Sequence, residues 1–155
     1  MRKTAAACVL LLALLALLAA FPAFSAGPIV KDKQTPYAGT VAPAGTISFQ
    51  VAVRITKRKN GKTRTSQPYV INAAFSVPVT CPGGTTTVAR KLNIRAKLFR
   101  TWHMTGVPVS NESVLLADID GSRTSGTIRV HGDLDGTPQG HGCDSGLLSW
   151  TAARG

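Results

Sequence analysis

The sequence predicts an all-β fold: an antiparallel β-sandwich closed by one disulfide and preceded by a cleaved signal peptide. Three observations predict it: an apolar leader, two cysteines beyond that leader, and runs in which every second residue is apolar. Apolar residues at a period of two are typical of strands with one buried face. A closed β-barrel is the alternative architecture. We expect a signal peptide at 1–26, an irregular lead-in at 27–45 with room for a short edge strand at about 37–41, and a single β domain at 46–155.

The N-terminal segment has the pattern of a secretory signal. Arg2 and Lys3 precede an unbroken apolar run from Ala5 to Ala20, and Pro22 ends that run. As a helix the run would be about 24 Å long at about 1.5 Å per residue, which is short of the roughly 30 Å hydrocarbon core of a bilayer. A charged start, a short apolar middle and small residues after it are typical of a cleaved leader, with an uncleaved anchor as the alternative. We therefore expect a secreted, extracellular or envelope-associated protein without a membrane span.

Cys81 and Cys143 are the cysteines that remain beyond the leader, because Cys8 lies within the apolar run. In an oxidising compartment an even number of cysteines indicates a disulfide. The alternative is a zinc site that adds histidines to these sulfurs, but neither cysteine has a C-x-x-C partner. We predict a Cys81–Cys143 disulfide and expect no metal or other cofactor.

The first two predicted strands form a hairpin around Asn60-Gly61. Their inward residues are expected to be Ile47, Phe49, Val51, Val53 and Ile55, then Tyr69, Ile71, Ala73, Phe75, Val77, Val79 and Cys81. Asn-Gly between two alternating runs is the strongest short-range hairpin signal, because both residues tolerate the positive φ of a type I′ turn. Polar residues flank this turn, so the hairpin should extend beyond the core.

Later runs complete the predicted sheet. Their inward residues are expected to be Leu92, Ile94, Ala96 and Leu98, then the short strand from Val114 to Ile119, then Ile128, Val130 and Leu134, and finally Leu148, Trp150 and Ala152. Gly132 shares the inward side of its run, and we expect it to make room for Trp150 or Trp102. About six to eight strands separated by turns favour a sandwich or a barrel.

Short motifs occur in a distinctive order along the chain. They are Tyr37-Ala-Gly39-Thr40, Gly45-Thr-Ile47-Ser-Phe49, Cys81, Gly126-Thr127-Ile128, Gly142-Cys143-Asp144-Ser145-Gly146 and Trp150-Thr-Ala152. This order resembles a group of small secreted β-rich proteins from high-GC Gram-positive bacteria, over most of the chain beyond the leader. The resemblance implies the fold and the compartment, and it implies no activity. The 54–64 segment of this chain is longer and more basic than in that group.

Asp144-Ser145-Gly146 invites comparison with the Gly-Asp-Ser-Gly signature of trypsin-like proteases. Cys143 and Leu147 stand where that signature has, or usually has, glycine. A serine nucleophile also needs a base within hydrogen-bond reach, and no spacing selects either His131 or His141. A turn before a strand explains the segment more simply. We therefore expect no enzyme, with a small hydrolase as the least favoured alternative.

Two pairs of aspartates are the other candidate for catalysis. They are Asp118/Asp120 and Asp133/Asp135, and each pair stands beside glycine. A glycosidase pair would need an apolar cleft that raises one pKa, and a calcium loop from Asp118 would have an incomplete ligand series. Aspartate beside glycine is expected for turn reasons, and we favour that interpretation.

Cations dominate one half of the chain. The sequence has 18 Lys and Arg against 7 Asp and Glu, a formal net charge of +11. The candidate anion-binding residues are Arg54, Lys57, Arg58, Lys59, Lys62 and Arg64 around the hairpin, and Lys91, Arg95 and Lys97 on the outward side of a later strand. No acid lies between Asp32 and Glu112, so this half is expected to lack internal neutralisation. Clustered cations attract polyanions over about a Debye length, near 8 Å.

These features favour a non-enzymatic binding domain. We expect the basic hairpin to bind an anionic cell-envelope polymer or an anionic lipid surface. A protein-binding or enzyme-inhibitor module that uses the same hairpin is the alternative, and a solvated tip that deters edge pairing is the non-functional interpretation. Nucleic acid is disfavoured, because the chain is expected to be exported and the hairpin lacks interleaved aromatic residues. The sequence does not indicate an oligomeric state.

Overall fold

The computed structural model describes residues 29–58, 60–109, 114–135 and 137–155. The predicted signal peptide, 1–26, and the candidate residue Lys59 lie outside these ranges. The strands are β1 (Ile29–Val41), β2 (Thr46–Lys57), β3 (Thr63–Thr65), β4 (Tyr69–Cys81), β5 (Gly84–Lys97), β6 (Trp102–Pro108), β7 (Val114–Gly121), β8 (Ser125–Asp133), β9 (Cys143–Asp144) and β10 (Leu148–Arg154), with a 3-10 helix at Pro138–Gly140. Within the described ranges, no helix has the length and apolar character that a membrane crossing requires.

The strands pair antiparallel into one hydrogen-bonded sheet. Its order is β10-β1-β2-β4-β9-β8-β7-β6, with β3 beside β2, β5 beside β4, and a further pairing between β10 and β8. This arrangement confirms the predicted all-β antiparallel fold. The choice between sandwich and barrel stays a prediction.

An aromatic cluster lies at the centre of the core. The ring centroid of Phe49 lies 5.4 Å from that of Trp102 and 5.7 Å from that of Trp150. Tyr37 stacks on Phe49 at 5.3 Å. Each indole N–H donates to a backbone carbonyl, at 2.7 and 3.1 Å. Aromatic pairs in tilted and edge-on arrangements stabilise a core beyond their buried area, so this cluster joins β1, β2, β6 and β10.

Two glycines make room for Trp150. A Cβ at Gly121 or Gly126 would lie 2.4 or 2.6 Å from Trp150 Cζ2. The expectation that Gly132 has this role is wrong. A Cβ there would lie 2.2 Å from the carbonyl oxygen of Val114, and the φ of Gly132 is +120°, where residues with a side chain are disfavoured. Gly132 therefore permits the close approach of β7 and β8.

The segment predicted as an irregular lead-in, 27–45, with room for only a short edge strand at about 37–41, contains a strand of 13 residues. β1 pairs with β2 from Ile29 opposite Lys57 to Thr40 opposite Thr46. The carbonyl of Pro36 accepts from the N–H of Gly155, so this carbonyl points away from β2. The nitrogen and the carbonyl of one residue in an antiparallel strand point to the same side, so the ring nitrogen of Pro36 also faces away from β2. Pro36 is therefore tolerated, because no hydrogen bond between β1 and β2 is lost. The sequence pattern failed here because a proline was interpreted as the sign of a loop.

A β-bulge at Asn72 changes the predicted faces of β4. Asn72 has φ +51°, which asparagine tolerates better than most residues, and the register with β2 and with β5 shifts beside it. The alternate residues from Ala73 to Cys81, namely Ala73, Phe75, Val77, Val79 and Cys81, face the core as predicted. Tyr69 and Ile71 do not, because Val70 takes the inward position and is fully buried. Tyr69 thus lies on the outward face of the sheet.

The predicted disulfide is confirmed. The sulfurs of Cys81 and Cys143 are bonded at 2.01 Å, and both residues are buried. The zinc alternative that used these sulfurs is therefore wrong. The bond joins the end of β4 to β9, where Thr80 pairs with Asp144. A link across 62 residues stabilises by about 4 kcal/mol in the chain-entropy account.

Candidate functional site

The predicted hairpin is formed by β2 and β3, but its turn differs from the prediction. Lys57 lies opposite Thr63, and the N–H of Arg58 donates to the carbonyl of Lys62 at 2.9 Å. In this register Arg58 lies opposite Lys62, so a two-residue type I′ turn at Asn60-Gly61 is wrong, although Gly61 has the positive φ, +76°, that was expected. A one-residue difference reverses the face that each β3 side chain takes. The turn therefore decides which cations meet.

Three arginines converge on one side of this hairpin. Arg64 lies opposite Thr56, whose neighbours on the same side of β2 are Arg54 and Arg58. Arg54, Arg58 and Arg64 line an open cavity of about 440 Å³, which we call the arginine groove. Its lining residues are Arg54, Thr56, Arg58, Arg64, Thr65, Ser66 and Gln67. The groove thus combines guanidinium groups with hydroxyl groups.

Arg54 is held in place at the inner end of the groove. Its backbone N–H donates to Ser66 Oγ at 3.0 Å, and its side-chain Nε–H donates to Asp32 Oδ1 at 3.3 Å. The expectation that this half of the chain lacks internal neutralisation is therefore wrong at Arg54, because β1 places Asp32 directly opposite. Among the described residues, Arg58 and Arg64 form no ion pair. Their charges face the groove and water.

The second set of predicted cations lies on the same face. Lys91, Arg95 and Lys97 are exposed on β5. Lys97 lies opposite Tyr69, and Tyr69 lies opposite Ala52 on the groove side of β2. We call the combined set the basic strip, and it consists of Arg54, Arg58, Arg64, Lys91, Arg95 and Lys97.

Tyr69 joins the two parts of the basic strip. The guanidinium carbon of Arg95 lies 4.1 Å from the centre of the Tyr69 ring, a cation–π contact. The Tyr69 hydroxyl donates to Asp32 Oδ2 at 3.4 Å, and Asp32 also accepts from Arg54. Although Tyr69 is on the outward face, only 8% of it is exposed. These contacts fix the orientation of two strip arginines relative to each other.

Two predicted candidates are not among the lining residues of the arginine groove. Lys57 pairs with Thr63 and with Ile29, so its side chain lies on the opposite side of the hairpin from Arg58. Lys62 lies opposite Arg58 at the end of the turn, and its backbone N–H donates to Asn60 Oδ1 at 3.1 Å. The sequence could not separate Lys57 from the strip, because the separation depends on the register of the turn.

A second open cavity, of about 400 Å³, lies on the same face beside the bulge, and we call it the bulge pocket. Its lining residues are Ser48, Asn72, Ala73, Ala74, Lys91, Leu92 and Asn93. Asn72 Nδ2–H donates to Gln50 Oε1 at 3.1 Å, which orients the amide at the pocket. Sequence reasoning missed this site, because no periodicity signals the position of a bulge.

Charges on the outward side of β6, β7 and β8 are paired, and we call this side the paired face. Its pairs are His103–Asp120 at 3.3 Å, His131–Asp118 at 3.1 Å and Arg129–Asp144. In the last pair, the Nε–H of Arg129 donates to Asp144 Oδ1 at 3.1 Å. The N–H of Gly106 donates to Asp118, and with His131 it lowers the pKa of that carboxyl. The Arg129 guanidinium likewise lowers the pKa of Asp144. Asp118 lies in the strand predicted at Val114–Ile119, and that strand extends to Gly121, so Asp120 is a strand residue where a turn residue was expected.

The serine that was considered and disfavoured as a nucleophile, Ser145, bonds to the backbone. Ser145 Oγ accepts from the N–H of Val130 at 2.8 Å and donates to the carbonyl of Gly146 at 2.8 Å. The two candidate bases bond elsewhere: His131 contacts Asp118, and His141 contacts Asp133 at 3.0 Å. These contacts explain Asp144-Ser145-Gly146 as the turn that precedes β10.

A threonine, a histidine and an aspartate lie in relay order on the paired face. Thr105 Oγ1 lies 2.5 Å from His103 Nε2, and His103 Nδ1 lies 3.3 Å from Asp120 Oδ2. Sequence reasoning missed this arrangement, although His103 and Asp120 were visible separately. The His103 side chain is 66% exposed, and hydrogen bonds stabilise a developing charge strongly only where water is excluded. The contacts therefore connect β6 and β7.

Fold and site together define a disulfide-closed all-β domain with one basic face and one face of paired charges. No protein-family model, curated protein or solved structure matches this chain. Among the residues that the structure describes, no cluster of three His, Cys, Asp or Glu side chains could hold a metal ion. The chemistry of the basic strip and of the two cavities is therefore the basis for a function.

Proposed function

We propose that this protein is a secreted, non-enzymatic domain that binds an anionic cell-envelope polymer along the basic strip. The observation that carries the proposal is the arginine groove, where Arg58 and Arg64 lack an acidic partner among the described residues. The disulfide supports the compartment, because such bonds persist mainly under oxidising conditions.

The residues of the groove favour phosphate as the anionic group. A guanidinium presents a planar fork of donors that matches two phosphate oxygens, and it is more weakly hydrated than an ammonium group. Thr56 and Thr65 add hydroxyl groups beside the three arginines, whereas the Ser66 hydroxyl donates to the carbonyl of Gln67 at 3.0 Å. Such a set of donors suits a phosphodiester, whose charge is spread over two oxygens.

The length of the basic strip favours a polymer over a single small anion. Lys91 lies level with Ala74 and Ser48, because β2, β4 and β5 are in register there. From Ser48 to Arg58 the chain advances ten residues, or about 33 Å at about 3.3 Å per residue. An extended ligand with repeated charges can contact both ends of this face.

The proposal is tested by binding of purified poly(glycerol phosphate) to the mature protein. The variant Arg58→Ser/Arg64→Ser removes the unpaired guanidinium groups and should weaken binding about tenfold or more, since hydrogen bonds to charged groups are the strong ones. The matched control is Lys31→Ser/Lys33→Ser, which removes the same charge from exposed positions on the other side of β1. The control should change affinity less than about threefold, the effect expected of general electrostatics alone.

Two outcomes would overturn the proposal. One is an equal loss of affinity in both double variants, because net charge alone would then explain binding. The other is binding to vesicles of anionic lipid without binding to the polymer. A steep fall in affinity with added salt, with a smaller slope in the arginine variant, is the supporting result.

A further inference from the structure

The bulge pocket exists because both neighbours of β4 lose register at one residue. The shift relative to β2 falls between Ser48 and Gln50, and the shift relative to β5 falls between Ile71 and Ala73. A bulge disrupts the ladder locally and redirects side chains, and bulges are frequent beside binding sites. Here the disruption opens the outward face above two core residues.

The floor and the rim of the pocket differ in polarity. Ala73 and Leu92 belong to the core, at 1% and 5% exposure, and their atoms reach the pocket through the opening. The polar rim groups are the hydroxyl of Ser48, the amides of Asn72 and Asn93, and the ammonium of Lys91. The cavity of about 400 Å³ falls within the roughly 300–1,000 Å³ that small-molecule sites occupy.

This combination fits a sugar ring better than it fits a second phosphate. A pyranose presents apolar C–H groups on its faces and hydroxyl groups around its edge. Neutral amides and a hydroxyl can both donate to and accept from those hydroxyl groups. Phosphate needs donors only, as the arginine groove supplies. Lys91 is the one cation of the pocket lining, and it suits an anionic group linked to the sugar.

The position of the pocket connects it to the basic strip. Along β2, Ser48 at the pocket lies six residues before Arg54 at the groove, about 20 Å away at about 3.3 Å per residue. Arg95 lies between them on the same face, over the ring of Tyr69. A polymer chain that leaves the pocket therefore passes further cations before it reaches the groove.

We propose that the bulge pocket is a second binding site, which takes a neutral sugar substituent carried by the phosphate polymer. The identity of the polymer rests on the proposed function, whereas the sugar site rests on the pocket itself. The arginine groove provides general affinity for the phosphate chain, and the bulge pocket provides selectivity for a glycosylated chain.

The test compares two polymers with the same spacing of phosphates: poly(glycerol phosphate) and the same polymer carrying glucose. The wild-type protein should bind the glucosylated polymer about tenfold more tightly, a typical gain for a few added hydrogen bonds. Ser48→Ala/Asn93→Ala should remove this preference and leave affinity for the bare polymer unchanged. Asn72→Gly should also reduce the preference, because glycine keeps the positive φ and removes the amide.

The matched control is Gln34→Ala/Thr87→Ala, which truncates neutral side chains at exposed positions outside the pocket. It should keep the full preference, and all variants should retain the thermal midpoint of the wild type within a few degrees. Equal binding of the two polymers by the wild type would overturn the sugar site and leave the proposed function intact.

A titration with methyl glucoside, followed by amide NMR shifts, separates the two proposals. Shifts confined to the neighbourhood of Asn72 and Asn93 would support the sugar site even if neither polymer bound, an outcome that would overturn the proposed function. No shift at these amides, together with no preference between polymers, would overturn the sugar site.

Discussion

The basic strip and the paired face differ in what lies opposite most of their cations on the neighbouring strand; in the strip, Arg54 is an exception, because Asp32 lies opposite it. On the paired face, Arg129 lies opposite Asp118 and bonds to Asp144. On the basic strip, Arg64 lies opposite Thr56 and Lys91 lies opposite Ala74. Directly opposed residues are close enough to interact across a sheet. Strand register therefore decides whether a charge is neutralised within the fold or stays available to a ligand.

The two regions also contribute differently to stability. Exposed ion pairs each stabilise a fold by about 0–1 kcal/mol, so the paired face adds little per pair. The basic strip concentrates like charges, which repel one another. A protein that needed only stability would gain by distributing acids over both faces.

The largest expected effect comes from the bond that joins the two regions. The disulfide connects β4, beside the basic strip, to β9, which pairs with β8 of the paired face. Cys81→Ser/Cys143→Ser should lower the free energy of unfolding by about 4 kcal/mol, as measured by urea denaturation. A change below about 1 kcal/mol would show that the strands hold the two regions together without the bond.

Substitution of glycine should separate the packed region from the open hairpin. A Cβ at Gly126, beneath the paired face, would lie 2.0 Å from the carbonyl oxygen of Asp120 and 2.6 Å from Trp150 Cζ2. Gly126→Ala should therefore cost about 3 kcal/mol, the upper end of the range for overpacking, because two of the clashing atoms belong to the backbone. Gly61→Ala is the control, because nothing lies within 4 Å of its Cβ, so only its positive φ adds a cost, about 1–2 kcal/mol. Equal losses in urea denaturation would contradict the difference in packing.

Acid should lower the free energy of unfolding through the carboxylates of the paired face. Hydrogen bonds from Gly106 and Arg129 lower the pKa of Asp118 and Asp144 below the ordinary value of 3.8. Between the lowered folded pKa and 3.8, the unfolded chain binds more protons than the folded one, so stability rises with pH. The contribution is complete above about pH 4–5 and disappears as pH falls through the folded pKa.

The acid effect is measured as the urea midpoint between about pH 2 and 6. Asp118→Asn/Asp144→Asn should reduce the slope of the profile in this window. Part of the slope should remain, because hydrogen bonds from Gly142 and Thr137 lower the pKa of Asp133 and Asp135 as well. Arg58→Ser/Arg64→Ser should leave the slope of the profile unchanged, because arginine stays protonated throughout. A flattened slope in the arginine variant would indicate that the two regions are electrostatically coupled.

The smallest effect concerns the single acid beside the basic strip. Asp32→Asn removes the carboxylate that competes for Arg54 and should raise affinity for poly(glycerol phosphate) about two- to threefold, the range of a weak exposed pair. Stability should change by less than about 1 kcal/mol. A lower affinity would show that Asp32 positions Arg54 for the ligand and does not compete with it.

Most of the fold follows from local pattern. The alternation of β2 placed Ile47, Phe49 and Val51 in the core, and that of β5 placed Leu92 and Leu98 there, as the structure confirms. In the parts of those strands that hold these residues, side chains alternate regularly between the two faces, so a period of two predicts which residues are buried. At Asn72 this alternation breaks, because a bulge depends on what lies on the neighbouring strands. The first part of β1, 29–36, was missed for a related reason: which side of Pro36 faces away from a neighbouring strand becomes known only from the pairing.

The candidate site was predicted in composition but not in arrangement. The basic segments are visible in the sequence, yet their union on one face requires β4 to lie between β2 and β5. Asp32 and Arg54 are 22 residues apart, and no local rule pairs them. The bulge pocket and the relay of Thr105, His103 and Asp120 likewise depend on register between strands. Long-range pairing, which local periodicity does not encode, accounts for these misses.

The placement of the aromatic residues gives the molecule two separate optical reporters. Both tryptophans are 1% exposed in the core, with ring centroids 6.1 Å apart. Their emission should follow global unfolding and stay unchanged when a polymer occupies the strip. Tyr69 lies beneath Arg95 at the strip itself, so its near-ultraviolet circular dichroism should respond to occupancy. One unlabelled sample can thus distinguish a ligand that binds from a condition that denatures.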